Sequence, residues 1–239
     1  MLHITLPNNR KYSFKTHRPS NMLIDFGTYG NGSIDWRPEG LHLYEIAEQL
    51  HIVQPLAGEI DGSLFPMDTF ITQDCRVKFV TPETAVGRKI LKATGMFLLA
   101  YAAKQIMPHQ LQRLRGAMLS TSTFCYDFIV NENYNITDAV IADMQNYLDN
   151  LLTSTVSIKK KYEPYYQIRK QFQQLNEPYL IQRIDEKDDG GPVAVYRIND
   201  FAEPMDDFLI GNLDMIQQIR IMQVENGLTR CRISAEIIV

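Results

Sequence analysis

The 239-residue sequence predicts an α+β protein, in which strands and helices occupy separate stretches of the chain. Three features predict this class: alternating apolar and polar residues near the N-terminus, one nearly all-apolar helical segment over 87–107, and further strand-like segments after it. Pro82 and Gly87 interrupt the pattern between the first strands and the long helix. We therefore expect two domains, 1–82 and 87–239.

The first domain begins with a predicted β-hairpin. Residues 2–6 and 11–15 alternate in polarity on either side of the turn-forming residues PNNR. A loop rich in Gly, Asn and Ser follows over 25–40 and contains the single tryptophan, Trp36. Three more elements are predicted after it: an amphipathic helix over 41–50 and strands over 56–61 and 76–80, with a turn at Gly62.

The second domain is predicted to contain two long helices on an antiparallel sheet. The first helix, 87–107, is apolar around most of its circumference and is ended by Pro108, so we expect it to be buried. Thr137 is placed to cap the second helix. The remaining predicted elements are strands over 122–130, 156–162, 179–184, 193–198 and 230–239, a helix over 164–175, and a segment over 207–227 read as either strand or helix.

Composition and charge exclude several classes of protein. The net charge of −4 and pI of about 5.7 leave no overall basic field to attract nucleic acid or anionic membrane, so any RNA contact needs a local patch. Cys75, Cys125 and Cys231 are widely separated, which favours neither a disulfide framework nor a zinc ribbon. The longest apolar run, 96–103, is shorter than a membrane span. These features predict a cytoplasmic protein without a membrane segment.

Several short motifs resemble the amino-terminal region of threonyl-tRNA synthetases. ITLPNNRKYSF, AGEIDGSLFPMD and VKFVTPETAVGRKIL resemble the small TGS domain of these enzymes. ATGMFLLAYAAKQIMP, FCYDFIV, NEPYLIQRI and VAVYRINDFAEPM resemble segments of the editing domain that follows. The resemblance covers roughly residues 1–210 and implies a ubiquitin-like β-grasp domain followed by an α/β-sandwich editing-like domain with an antiparallel sheet. A similar pair of domains is fused to some uridine-kinase-like P-loop kinases.

The residues that would carry editing chemistry are replaced here. The family has His-x-x-x-His on its first helix and Cys-x-x-x-His near its last strand, and the matching positions are Ala93 and Phe97, then Met205 and Leu209. A family lysine falls on Leu180. None of these side chains transfers a proton or binds a metal. The histidines of the chain lie elsewhere: His3, His17, His42, His51 and His109. We therefore expect no editing hydrolysis, no bound metal and no cofactor.

The resemblance leaves a degenerate cleft as a candidate ligand site. Its predicted lining residues are Ala93, Phe97, Tyr126, Asp127, Glu203 and Met205. Strand packing for Tyr126 and a solvated carboxylate for Asp127 are equally good readings, and Cys125 is better explained as a buried structural thiol than as a nucleophile. An acidic run at the cleft edge, predicted to repel phosphate or to lie solvated in a loop, comprises Asp200, Glu203, Asp206 and Asp207.

Phosphate-binding loops of the nucleotide type are not indicated. Gly27, Gly30 and Gly32 form a G-x-x-G-x-G spacing that fits an ordinary flexible loop better than a phosphate cradle. No Gly-Lys dipeptide occurs in the sequence, so the P-loop of the fused kinases is absent. We therefore do not expect this chain to be an enzyme by itself.

Local basic segments suggest an RNA contact. Arg113 and Arg115 follow Pro108, and a second cluster combines lysines with aromatic rings, a combination that suits phosphates and bases. The predicted RNA-binding residues are Arg10, Lys11, Lys159, Lys160, Lys161, Tyr165, Tyr166, Arg169 and Lys170. A solvated strand and helix face explains the same pattern, and that reading stays open.

The sequence leads to two hypotheses about function. The first is a non-catalytic RNA- or nucleotide-binding or regulatory module with tRNA or a nucleotide as partner. The second is the amino-terminal part, or a docking subunit, of a separate kinase or synthetase, with the C-terminal strand RISAEIIV as an edge that pairs either with such a partner or with a second copy of the chain.

Overall fold

The structure, a computed structural model, describes residues 1–17, 39–132, 134–187 and 190–239. Contacts divide the chain into two compact units, Met1–Thr84 and Ala85–Val239, which are described separately below. Helices and mainly antiparallel sheets occupy both units, which confirms the α+β class. No helix of the described ranges is both long and apolar enough to cross a membrane.

The described residues of the first unit, 1–17 and 39–84, form short strands and one helix. Its elements are β1 (Leu2–Thr5), β2 (Lys11–Phe14), β3 (Leu41–His42), α1 (Leu43–Gln49), β4 (Ala57–Ile60), β5 (Ser63–Phe65), β6 (Phe70–Ile71) and β7 (Cys75–Val80). The predicted hairpin is confirmed, since β1 and β2 pair antiparallel with Leu2 opposite Phe14. The predicted short helix and the strands around 56–61 and 76–80 are confirmed as well.

A five-stranded sheet of order β2-β1-β7-β4-β5 organises the first unit. The central pair β1 and β7 is parallel, and the other pairs are antiparallel. Gly58 allows α1 to lie close to the sheet, because a Cβ atom there would stand 2.7 Å from a methyl carbon of Leu43. Asp61 and Gly62, both with positive φ, form the tight turn between β4 and β5. The buried core consists of Leu2, Ile4, Phe14, Leu41, Leu43, Ile46, Ile71 and Val77.

The second unit contains two sheets and four helices. Its elements are α2 (Ala85–Ile106), β8 (Leu111–Met118), β9 (Thr123–Val130), α3 (Asp138–Leu152), β10 (Lys159–Glu163), α4 (Tyr165–Gln174), α5 (Pro178–Asp185), β11 (Val193–Ile198), β12 (Phe201–Pro204), β13 (Gln218–Asn226) and β14 (Arg230–Ile238). The long buried helix is confirmed as α2. Thr137 occupies the N-cap position of α3 in an extended conformation, as predicted, but its side chain makes no capping hydrogen bond within the described range 134–187.

The four-stranded antiparallel sheet has the order β13-β14-β9-β8, and α2 covers one of its faces. A Cβ atom on Gly95 would lie 2.5 Å from the ring of Phe124, and one on Gly116 would lie 2.6 Å from the sulfur of Met96. These glycines therefore bring helix and sheet together. Since Phe124 faces α2, alternation along β9 directs Tyr126 and Phe128 to that inner face and Cys125 and Asp127 to the opposite, open face.

The three-stranded antiparallel sheet has the order β10-β11-β12 and packs against α4 and α5. Val195 of β11 and Ala202 of β12 are buried with Ile168 and Phe172 of α4. Since Lys161 stands opposite Val195 in register, it lies on the helix side of β10, and Lys160 lies on the other side.

Three sequence predictions need correction. Residues 179–184, predicted as a strand, form helix α5, because Pro178 starts a helix whose Leu180 and Ile184 are buried one turn apart. Strand β8 is not predicted from the sequence, because Arg113 and Arg115 interrupt the alternation of apolar and polar residues that marks a strand. The C-terminal strand β14 was predicted as an edge, but it pairs with both β13 and β9, so its backbone offers no docking edge.

Two further segments can be assigned. Residues 218–226, left open between helix and strand, form strand β13. The segment with Gly27, Gly30, Gly32 and Trp36 lies outside the described residues.

Candidate functional site

The positions that the resemblance aligns with the family's editing histidines lie on α2 and are completely buried. Ala93 and Phe97 both have 0% exposure. The ring of Phe97 meets that of Phe201 edge-on, with centroids 5.3 Å apart, and Phe201 also packs against Tyr101 at 5.2 Å. Aromatic packing therefore occupies the space in front of this helix face.

The segment after β12 carries the other two replaced positions. Met205 is half-buried and Leu209 is buried. The Thr94 hydroxyl accepts a hydrogen bond from the Ile210 amide at 3.2 Å, and the Tyr196 hydroxyl accepts one from the Leu209 amide at 3.3 Å. These bonds fasten the segment to α2 and β11, so apolar side chains stand where a metal or water site would need polar ones.

Beside this packing lies a buried group of charged residues, the buried ion network, defined by Arg113, Glu177, Glu203, Arg183 and Tyr126. Arg113 enters it from β8 with 1% exposure. Its Nε donates to Glu177 Oε1 at 3.1 Å, and its Nη1 donates to Glu203 Oε2 at 2.9 Å. Its guanidinium carbon also lies 4.3 Å from the ring centre of Phe201. Arg113 thus links β8, β12 and the start of α5.

Glu203 is the centre of the network on the β12 side. Its Oε1 accepts hydrogen bonds from the Tyr126 hydroxyl and from Arg183 Nη1, both at 2.7 Å. Burial, followed by the nearby Glu203 charge, raises the pKa of Tyr126 well above its ordinary value, so the phenol stays protonated and donates. The structure therefore brings together Tyr126 and Glu203, two of the predicted cleft residues.

Glu177 completes the network at the edge of β8. Its Oε1 lies 3.1 Å from Lys104 Nζ as well as from Arg113 Nε, and its Oε2 accepts the Arg113 backbone amide at 2.8 Å. Each carboxylate oxygen of Glu177 and Glu203 thus accepts from at least one donor. Carboxylates held this way bind strands together, because all of their oxygens already accept hydrogen bonds from neighbouring donors.

A small cavity of about 150 Å³ borders the network. Arg183, Ile184, Val193, Pro204 and Met205 are among its lining residues, so the predicted Met205 is at a cavity wall, whereas Ala93 and Phe97 are packed elsewhere. Arg183 is the charged group that connects the cavity to Glu203.

Asp127 lies apart from the other predicted cleft residues, on the open face of the sheet. It is 2% exposed, and Arg232 Nε donates to its Oδ1 at 2.7 Å, while Arg230 also pairs with it. Burial by itself would raise the pKa of Asp127, but the hydrogen bonds from Arg232 and Arg230 lower it below the ordinary value. Asp127 is thus a buried, ion-paired carboxylate, which corrects the reading of a solvated one.

The acidic run is neutralised in the structure. Glu203 pairs with arginines, Asp206 pairs with Lys187, and Asp207 lies 2.7 Å from Lys89. These three carboxylates therefore do not form an unpaired acidic lip, and of the three only Asp206, with a side chain 80% exposed, fits the reading of a solvated run, since Glu203 is buried and Asp207 is half-buried. Asp200 is exposed.

The predicted RNA-binding residues fall into separate groups. Lys159, Lys160 and Lys161 are exposed on β10, and Lys160 Nζ lies 5.3 Å from the ring centre of Tyr162. Tyr165 and Arg169 are both bonded to Asp185, which neutralises the arginine. The remaining members, Tyr166, Lys170, Arg10 and Lys11, are exposed, the last two in the first unit.

Arg113, read from the sequence as part of a basic patch, is unavailable to RNA because it is buried. Glu177 and Arg183 are not among the site residues that the sequence predicts. The signal that could have found them is the helix start at Pro178, which would have placed an acidic residue directly before α5 and a basic one in its last turn. Among the described residues, no group of three or more His, Cys, Asp or Glu side chains is placed to hold a metal ion.

Sequence comparison finds distant similarity between this chain and threonine–tRNA ligases. The chain is 25% identical over 168 residues to the threonine–tRNA ligase of Clostridium kluyveri, covering 69% of this chain and 26% of the relative. It is 22% identical over 206 residues to that of Acetivibrio thermocellus, covering 85% and 32%, and 24% identical over 164 residues to that of Thermotoga petrophila, covering 69% and 25%.

The chain is therefore distantly homologous to the amino-terminal part of threonine–tRNA ligases. It spans about a quarter to a third of the length of these relatives. No protein-family model matches it.

Proposed function

We propose that the chain is a non-catalytic RNA-binding module related to the amino-terminal part of threonine–tRNA ligases, with tRNA as its ligand. Residues 1–82 would be the TGS-like β-grasp domain and residues 87–239 the degenerate editing-like domain. The distant homology supports the RNA-binding part of this proposal, since the relatives are named for the tRNA on which they act.

The loss of chemistry is supported by what occupies the cleft positions. Ala93, Phe97 and Leu209 are buried apolar side chains without a titratable group. Glu203, the acidic member of the predicted cleft on β12, has both carboxylate oxygens engaged by Tyr126, Arg183 and Arg113. A hydrolytic role would require one of these partners to leave, at the cost of a buried unpaired charge.

The observation that carries the RNA proposal is the exposed strand β10. Lys159, Lys160 and Lys161 are consecutive and exposed on this edge strand, with Lys160 on one face of the sheet and Lys159 and Lys161 on the other, and Tyr162 beside them is 66% exposed. Tyr166, at the start of α4, is 68% exposed. Ammonium groups suit phosphates, and exposed aromatic rings suit unstacked bases. Lysines on a strand edge also discourage pairing with other strands, which leaves this edge open to a non-strand ligand.

Fluorescence anisotropy of labelled bulk tRNA with the purified chain, repeated over a salt series, tests this proposal. Binding should weaken steeply as salt rises, and the K159Q/K160Q/K161Q variant should bind on the order of tenfold more weakly with a shallower salt dependence. Lys89→Gln, which removes one exposed charge from another part of the second unit, is the control. Absence of binding at low salt by the unmodified chain would reject the RNA proposal.

A separate assay tests the non-catalytic half. Aminoacyl-tRNA mixed with the chain should lose its amino acid no faster than in buffer, both with and without added divalent metal. A rate above buffer that disappears in Glu203→Gln would show that the buried carboxylate acts chemically and would contradict the proposal.

The second candidate function, a docking subunit for a separately encoded synthetase or kinase, is favoured by one observation. The chain spans about a quarter to a third of the length of these relatives, and in such an enzyme the remaining length would be supplied either by a continuation of this polypeptide or by another chain. The interior position of β14 removes the edge that was first expected to serve as the docking site. Affinity capture from native cytosol distinguishes the two functions, because an RNA module recovers RNA and a docking subunit recovers one stoichiometric enzyme.

A further inference from the structure

The open face of the four-stranded sheet carries a row of charged side chains that crosses all four strands. In register, Glu225 of β13 stands opposite Arg232 of β14, Arg232 opposite Asp127 of β9, and Asp127 opposite Arg115 of β8. Directly paired residues project from the same face of a sheet. Arg230, two residues before Arg232, projects from this face as well. We call these five residues the open-face row.

Asp127 holds two of these arginines in place. Arg232 donates through Nε to Asp127 Oδ1 at 2.7 Å and through Nη2 to Oδ2 at 3.1 Å, a bidentate pair, and Arg230 donates through Nη2 to Oδ2. These bonds use only part of the donor set of each guanidinium group. The side chains of Arg230 and Arg232 remain 48% and 38% exposed, although Asp127 beneath them is 3% exposed.

The row has an excess of positive charge. Three arginines stand against the carboxylates of Asp127 and Glu225, in a chain whose net charge is −4. Within the described ranges Arg115 is exposed and forms no ion pair, so its charge is free. Asp127, Arg230, Arg232 and the β13–β14 turn border an open concavity of about 430 Å³. The surface is thus wide and shallow, unlike the small cavity beside Arg183.

We propose that the open-face row is a second RNA contact surface, in which Arg115, Arg230 and Arg232 bind backbone phosphates. The proposal rests on the proposed function, because it names a phosphate-binding surface of the same module. Arginine suits this role better than lysine, since its planar fork matches phosphate oxygens and loses less freedom when another residue already orients it.

Charge complementarity favours RNA as the occupant over a protein or a small anion. Guanidinium groups on β8 and β14, on either side of β9, match a polyanion, in which neighbouring phosphates each find a donor. A small anion would contact only one or two of them. A protein partner would require apolar anchors, and the row itself consists entirely of charged side chains.

The R115Q/R230Q variant tests the surface and leaves Asp127 with its bidentate partner Arg232. With labelled bulk tRNA in the anisotropy assay, it should bind on the order of tenfold more weakly, and the slope of log affinity against log salt should fall by about 2. The matched control K78Q/K89Q removes two exposed charges from elsewhere and should bind as the unmodified chain does. Thermal unfolding of each variant checks that the fold is intact.

The outcomes separate this inference from the proposed function. If the unmodified chain fails to bind tRNA at low salt, both proposals fail. If R115Q/R230Q binds like the control and only the β10 variant K159Q/K160Q/K161Q is impaired, the RNA function stands and the open-face row is rejected. Equal losses in R115Q/R230Q and K78Q/K89Q would show a general charge effect and would also reject it.

Discussion

The two clusters of arginines and carboxylates in the second unit lie on opposite faces of one sheet and differ in nearly every physical respect. In the buried ion network, Arg113, Glu177 and Glu203 are at most 1% exposed. In the open-face row, a single buried carboxylate, Asp127, anchors two arginines that remain substantially exposed. The same residue types therefore hold the strands together on the buried face and present charge to solvent on the open face.

The difference shows that burial, rather than residue type, decides the role of a charged group here. Buried charges must be fully paired, since an unpaired ion in a low-dielectric interior costs several kcal/mol, about 3–5 when one partner is removed. Exposed arginines keep water as a partner and need only be oriented. Variants of the two clusters should therefore have very different consequences.

The largest effect is expected for Arg113→Met. The change removes the shared partner of Glu177 and Glu203 and leaves carboxylate oxygens buried without it, so the second unit should lose about 3–5 kcal/mol of unfolding free energy. Amide hydrogen exchange of residues 85–239 in increasing urea measures the loss. A loss no greater than that of an exposed ion-pair variant would contradict the comparison.

Tyr126→Phe removes one donor from the same network without removing a charge. The hydroxyl that donates to Glu203 Oε1 at 2.7 Å disappears, while Arg183 still reaches the same oxygen. A hydrogen bond to a charged group contributes about 1.5–3 kcal/mol, so the loss should be smaller than for Arg113→Met. The same exchange experiment ranks the two variants by their loss of unfolding free energy. A greater loss for Tyr126→Phe than for Arg113→Met would show that Arg113 is not the residue that contributes most to the buried ion network.

The pH dependence of stability provides a third test, centred on the open-face row. The pKa of Asp127 is lowered in the folded state, so its ion pairs stabilise the fold above the unfolded pKa of about 3.9, and this contribution is lost as pH falls through the folded value. The free-energy difference between the unmodified chain and Asp127→Asn should therefore be largest near neutral pH and should shrink below about pH 4. A difference independent of pH would mean that Asp127 is not ionised in the fold.

The smallest effect is expected for Lys89→Gln, which breaks the exposed pair with Asp207. Both side chains are solvent-accessible, 62% and 29%, so the loss should be under about 1 kcal/mol and should vanish at high salt. Urea unfolding at low and high salt checks this. A larger loss of unfolding free energy that does not depend on salt would mean that the Lys89–Asp207 pair is more buried than the structure shows.

Local sequence pattern predicted much of the fold. The first hairpin, helix α1, helix α2 and strand β11 follow from alternation, helical spacing and turn residues that agree with the final structure. The strand predicted over 179–184 is wrong, because a short segment with several apolar residues fits either a strand or a helix until its packing against β11 and β12 is known.

The candidate site was predictable only in part. Tyr126 and Glu203 were placed in one cleft on resemblance, and the structure joins them by a hydrogen bond across 77 residues of sequence. Glu177 and Arg183 were missed because their partners lie far along the chain. No local pattern indicates that a glutamate before α5 will receive the amide of a strand more than 60 residues earlier.

What the sequence determined by itself is the chemistry that four side chains lack: alanine, phenylalanine, methionine and leucine at positions 93, 97, 205 and 209 have no group that transfers protons, whatever the fold around them. What only the tertiary structure decided is which charges are buried. Arg113 and Arg115 are two residues apart and would share a face in a regular strand. A shift in register between them places Arg113 opposite Phe128 and Arg115 opposite Asp127, so one arginine enters the core and the other faces outward.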